Sequence, residues 1–267
     1  MYKAYSLKLN NNFSGFRNKK PKEKKEIEIN LSDFCEEDGT IRGDDLIDIW
    51  FPFEKYDVFL SHSHMDEDLA YKFSNYLEEK FGIKTFIDSQ VWEHMNKLIK
   101  KLDKEFAYQE KKGTYDYDVR NVTTAHVHNM LSVALTKMMD ACECVFFLNT
   151  KNSFVKEIEK TPSNQTYSSW IYLEISNISS LRTLIRREES KIIERGYVHD
   201  SVTKASAVTE SFKIAYGAEE IKGLPILKED DLLRWERLSN ENRLWGANSL
   251  DALYKCVPMK FKREGEK

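Results

Sequence analysis

Hydrophobic and polar positions change texture sharply along the chain. Within KYDVFLSHS (55–63), the apolar run Val58-Phe59-Leu60 is bounded by polar residues, the pattern of a strand buried on both faces. In DEDLAYKFSNYLEEKFG (66–82), Leu69, Phe73, Tyr76, Leu77 and Phe81 recur at helical spacing. Asp66 takes the N-cap position and Gly82 the position just past the end. IKTFID (83–88) reads as a second strand. Strand, helix and strand within about thirty residues imply a right-handed crossover and a parallel pair.

Beyond residue 88 the pattern favours helix. WEHMNKLIKKLDKEFAYQEKK (92–112) reads as a helix and GTYDYDVRN (113–121) as irregular. AHVHNMLSVALTKMMDA (125–141) is a helix with Met130, Ala134, Leu135, Met138 and Met139 inward, and CECVFFLNT (142–150) a buried strand. In TYSSWIYLEISNI (166–178), Ile171, Ile175 and Ile178 mark the inward stripe of a helix. That helix breaks near Ser179-Ser180, and LRTLIRREESKIIERG continues helically. FKIAYG (212–217) reads as a strand, and 224–245 as helical after Pro225. Alternating strands and helices predict a doubly wound α/β fold. Ligands of such sheets sit beyond the carboxyl ends of the strands. SHSHMD, the stretch after Asp88 and the start of the 166–178 helix all fall there.

Residues 1–52 read as an N-terminal extension, with a charged run RNKKPKEKK followed by a short alternating strand in EIEINL. The interleaved acidic residues make that run a solvated linker rather than a polyanion site.

Composition narrows the partners. Hydrophobic residues are 41% of the 267, enough for a core despite a mean hydropathy of -0.60. The 41 basic and 44 acidic residues give a net charge of -3, so nothing favours nucleic acid. MYKAYSLKLNNNF lacks the apolar core of a signal peptide, and no apolar run reaches membrane-spanning length. Of Cys35, Cys142, Cys144 and Cys256, the C-x-C pair lies in a strand pattern and reads as buried thiols. The expectation is a cytoplasmic protein with no membrane partner.

Candidate chemistry is sparse. No G-x-G-x-x-G, P-loop or G-x-S-x-G occurs, which disfavours dinucleotide-cofactor domains, P-loop NTPases and serine hydrolases. His62-x-His64 in a loop could bind a metal, although polar loop or surface histidines are the better reading, and His126 and His128 point to different helix faces. Glu174 stands out. It falls on the inward stripe of its helix, four residues after Trp170. With Ser168 or Ser169 as N-cap, it lies too far in for a capping box. Either it pairs with a backbone group, Arg182 or a lysine, or it serves a site, where burial under an indole would perturb its pKa.

Two motifs now converge. YDVFLSHSHMDEDLAYKFSNYLEEKFGIKTFID resembles the opening of Toll/interleukin-1 receptor (TIR) domains. SSWIYLEI resembles the later S-x-W-x-x-x-E motif of plant immune receptors and NAD-cleaving TIR proteins. The resemblance covers about residues 55–180 and, weakly, 212–217; the chain departs from it between 89 and 125 and lacks the usual glycine after the second strand. It implies a flavodoxin-like, mostly parallel five-stranded sheet. It also divides the chain into an extension (1–52), a TIR-like domain (53–238, with an insertion at about 89–124) and a C-terminal tail (239–267).

The resemblance further implies cleavage of the nicotinamide–ribose bond of NAD, with NAD as substrate and no cofactor or metal. Glu174 matches the catalytic glutamate. Ser61, His62 and Ser63 occupy the substrate-contacting first loop, Asp88 and Trp92 begin the second, and Trp170 walls the pocket. Products would be nicotinamide and a linear, cyclic or conjugated ADP-ribose derivative. The bacterial proteins of this type act in anti-phage defence by making a nucleotide signal for a partner effector, and self-association often completes the site. Two alternatives stay open: a non-enzymatic TIR scaffold, and a nucleoside deoxyribosyltransferase-like enzyme.

Overall fold

The computed structural model describes residues 3–10, 13, 31–34, 36–38, 40–51, 54–155, 165–178, 180–181 and 214–258. The EIEINL strand, the Ser179 break and the 181–196 helix expected from sequence fall mainly outside these residues. Within them lies a five-stranded, all-parallel sheet: β1 (Lys3–Lys8), β2 (Val58–Ser61), β3 (Thr85–Ile87), β4 (Cys144–Leu148) and β5 (Ile226–Lys228). The spatial order is β3-β2-β4-β1-β5. Phe59 aligns with Phe86 and Val145, and Leu7 with Leu148 and Leu227.

Helices cover both faces, as parallel sheets require. They are α1 (Gly43–Trp50), α2 (Glu67–Phe81), α3 (Ser89–Leu102), α4 (Tyr117–Ala141), α5 (Ser169–Asn177), α6 (Glu229–Glu241) and α7 (Leu250–Cys256). Successive strand residues feed opposite cores. Phe59, Phe86, Val145 and Phe147 join a core with side chains of α1, α3, α4 and α5. Val58, Leu60, Phe146, Leu148, Tyr5 and Leu7 join the other, with α2, α6 and α7. There Phe81 stacks on Trp235 at 4.0 Å, and the Trp235 indole donates to Ser249 O at 2.7 Å. The architecture is α/β and compatible with a flavodoxin-like fold.

Several expectations change. The N-terminal stretch is no mere appendage, because β1 is inserted between β4 and β5. Its polar residues hid it from the pattern. Lys3 lies over the Tyr254 ring, 4.6 Å from the centroid, and Ser6 Oγ accepts from Asn149 Nδ2 at 2.8 Å. The fifth strand is Ile226–Lys228, directly after Pro225, where a helix was expected. Tyr216–Gly217 instead pairs with Gln165–Thr166 in a separate antiparallel ribbon. The residues expected as a tail also carry core, since Leu250 and Leu253 have no exposed surface.

The 92–112 helix begins earlier, at Ser89, and gives way after Leu102 to a π-turn (Asp103–Ala107). A hairpin follows, pairing Tyr108–Gln109 with Thr114–Tyr115. α4 starts at Tyr117 rather than 125, because Asp116 caps it, accepting from the amides of Asp118 and Val119 at 3.0 and 3.1 Å. A cap outweighs the polar composition that made 113–121 look irregular.

Candidate active site

Four side chains from three chain segments meet at the carboxyl ends of β2 and β3. Ser61 ends β2 and His62 follows it; Asp88 follows β3 directly; Glu174 comes from α5. α5 is fixed at its start by Ser168, whose Oγ accepts from the Ile171 amide at 3.2 Å. Ile171 and Ile175 then turn into the core and carry Glu174 with them, and it has 0% exposure. Asn177 Nδ2, donating to Thr136 Oγ1 at 2.9 Å, ties the far end to α4.

Glu174 faces Ser61 and Asp88. Neither of its oxygens has a hydrogen-bond partner of good geometry, and Ser61 Oγ has none either. Burial first, and the like charge of Asp88 second, push the Glu174 carboxyl well above its usual range, while the neighbouring Ser61 hydroxyl opposes them. A buried, unmatched carboxylate costs several kcal/mol, so the group holds its proton instead. Among the described residues no cation and no backbone group pairs with it; Arg182 lies outside them.

On the other side of Asp88 stands His62. Its Nδ1 lies 2.6 Å from Asp88 Oδ1, and neither side chain has exposed surface. Burial opposes the imidazolium, but Asp88, helped by Glu67 and Asp66, outweighs it and raises the pKa from its ordinary value. One imidazole and two carboxyls thus share a site with no exposed surface.

Two of the other expected residues have described surroundings. Ser63, half-buried, opens the short turn His64–Asp66. Trp170 meets the edge of His128, ring centroids 5.7 Å apart, and burial lowers the His128 pKa. Trp92 lies in α3, but its side chain is outside the described residues.

One group escaped the sequence reading. Asp66 occupies the N-cap position of α2 but caps nothing. It accepts from Asn152 Nδ2 at 2.7 Å and from Thr150 Oγ1. This ties the loop after β4 to the loop after β2. Only the position of LNTKNS after a strand hinted at it.

Cys142 and Cys144 are free and buried; burial pushes Cys142 up to about 12 and Cys144 well above the usual thiol range. No group of three or more His, Cys, Asp or Glu among the described residues is placed to hold a metal ion. No described helix is long and apolar enough to cross a membrane.

Fold and site thus define an α/β protein with a buried carboxyl pair at the carboxyl end of a parallel sheet. Compared with known proteins, the chain matches no family model, no curated protein and no solved structure.

Proposed function

We propose that the chain is a TIR-type enzyme that cleaves the nicotinamide–ribose bond of NAD. The observation that supports this most directly is the Glu174 carboxyl, buried with no cation beside it among the described residues and facing Ser61 and Asp88 at the carboxyl ends of β2 and β3. Burying a carboxyl beside a second carboxyl costs stability, and such costs cluster at functional sites.

The chemistry asks little more of the protein. Nicotinamide leaves a cationic pyridinium as a neutral molecule, so no general acid is needed. Positive charge grows on the ribose as the bond breaks. An ionised Glu174 beside that ribose stabilises it, and in a dry site the effect is large. The entering cation favours loss of the Glu174 proton. The Ser61 hydroxyl, already beside Glu174, can orient its carboxylate. Water at C1′ then gives ADP-ribose, and an internal nucleophile gives a cyclic isomer. In this reading the product is a nucleotide signal in anti-phage defence, sensed by a separate effector. Self-association and a phage trigger belong to it.

Incubation of the purified chain with NAD tests the reading. Release of nicotinamide with an ADP-ribose derivative, lost in Glu174→Gln with the fold intact, supports it. No release, from purified chain or from lysate of phage-challenged cells, overturns it.

The adjacency of Asp88 and Glu174 also fits a deoxyribosyltransferase-like enzyme. There one carboxyl attacks C1′ and a protonated one assists the departing base. Deoxynucleosides offered in place of NAD separate the two enzymes. A scaffold would cleave neither.

A further inference from the structure

Resting on the NAD reading, we propose that His62 is a positioning residue. Its 2.6 Å ion pair with Asp88 fixes that group as the carboxylate, so the mobile proton of the site stays on Glu174 until a cationic ribosyl group enters. Sequence position suggested that His62 touches substrate. The structure sets it against Asp88, which gives it a second role.

The geometry carries the argument. Asp88 stands between an imidazole and a second carboxyl, so its charge answers to both. Among the described residues, the charged groups that act on His62 include Asp88 after β3, and Asp66 and Glu67 at the start of α2. Glu174, from α5, faces Asp88 as well. With imidazolium present, one carboxylate is compensated and one carboxyl keeps a proton. Binding of a pyridinium nucleotide then releases the Glu174 proton to solvent, leaving the anion that the oxocarbenium requires. Without the imidazolium, the two carboxyls face each other uncompensated and hold their protons more tightly.

Isotope-edited infrared spectroscopy of glutamate-labelled protein tests this without substrate. The Glu174 carboxylic-acid band, identified by its absence in Glu174→Gln, is expected in the wild type at pH 7. In His62→Gln its loss on titration is expected to move up by at least about one pH unit, a tenfold tighter hold on the proton. The acid limb of kcat/KM is expected to move by the same amount, with kcat recovering at high pH. An unmoved midpoint, an ionised Glu174 in the wild type, or a protonated Asp88 in aspartate-labelled protein overturns the proposal. Should His62→Gln not fold, nitrogen-15 spectra of the wild-type imidazole decide: a neutral His62 at pH 7 overturns it and a charged one supports it. The infrared result stands even if no nicotinamide is released, in which case the NAD reading alone falls. Release with an unmoved midpoint defeats only the role of His62.

Discussion

The indole of Trp245 lies against Gly82, so close that a Cβ on that glycine would fall 2.2 Å from Nε1. Gly82 also has φ of 68° and closes α2, its amide reaching Glu78 O at 2.9 Å. Gly82→Ala therefore meets two penalties. Because Trp245 is 62% exposed and can swing outward, the backbone term dominates, about 1–2 kcal/mol. Urea denaturation should show a lower midpoint at unchanged slope. An unchanged midpoint would mean that the chain relaxes there at no cost.

Asp103 offers a contrast between two partners. Thr123 Oγ1 donates to its Oδ1 at 2.5 Å, and Arg120 Nε to its Oδ2 at 2.9 Å. Thr123 is buried, whereas the Arg120 side chain is 53% exposed. Solvent screens the arginine, which limits its worth to about 1 kcal/mol or less. The hydroxyl leaves a buried acceptor short of a donor, worth about 1–3 kcal/mol. Thr123→Val should thus destabilise more than Arg120→Gln, measured by chemical denaturation. The reverse order would place the weight on the ion pair.

His62 and Glu174 should make stability fall as pH rises. Both have folded pKa values raised above their ordinary 6.5 and 4.5. At these two groups the folded chain binds more protons than the unfolded chain, from about pH 4.5 upward for Glu174 and from about 6.5 for His62, whereas the lowered His128 acts in the opposite sense below its ordinary 6.5. The His62 contribution is complete below 6.5 and disappears as pH passes its folded value. Glu174→Gln should flatten the decline and raise Tm at pH 8. Calorimetry between pH 7 and 9 reads both effects, and a Tm that climbs over that range would contradict them.

Ser61 and Ser63, two residues apart, should separate cleanly. Ser61 is buried beside Glu174, while Ser63 is half-buried and opens a turn. Ser61→Ala should lower nicotinamide release at least about tenfold through the lost orientation of the carboxylate. Ser63→Ala should leave it within about twofold. Equal losses would mean that the loop as a whole, rather than one hydroxyl, matters.

Thiol labelling offers a check on the core. Cys142 and Cys144, buried and held far from thiolate form, should resist a thiol-disulfide reagent until the chain unfolds. Cys256, only partly buried, should react in the native state. Rapid native labelling of Cys144 would mean that β4 opens locally.

What the chain disclosed in advance follows from where its information is local. Val58–Leu60 and the α2 stripe state their burial in consecutive or helically spaced side chains. Glu174 was readable as misplaced because helical spacing is strict. β1 and β5 were not readable, since Lys3, Ser6 and Lys228 gain their places only from distant partners such as Tyr254 and Asn149. Nor could spacing reveal that Asp88 would lie between His62 and Glu174. That juxtaposition depends on two strand ends and a helix that arrives much later in the chain. Asp66 misled for a related reason: the capping preference is local, but Thr150 and Asn152 captured its carboxylate.

The place of β1 has a consequence for synthesis. Leu7 is made well before its partners Leu148 and Leu227. As translation proceeds, β1 has no neighbour until β4 emerges, and its β5 side stays unpaired until residue 228 has cleared the ribosome. The nascent protein must therefore carry an open sheet edge through that interval, a template for wrong pairing. The sheet is committed late, by closing around a strand made long before its neighbours.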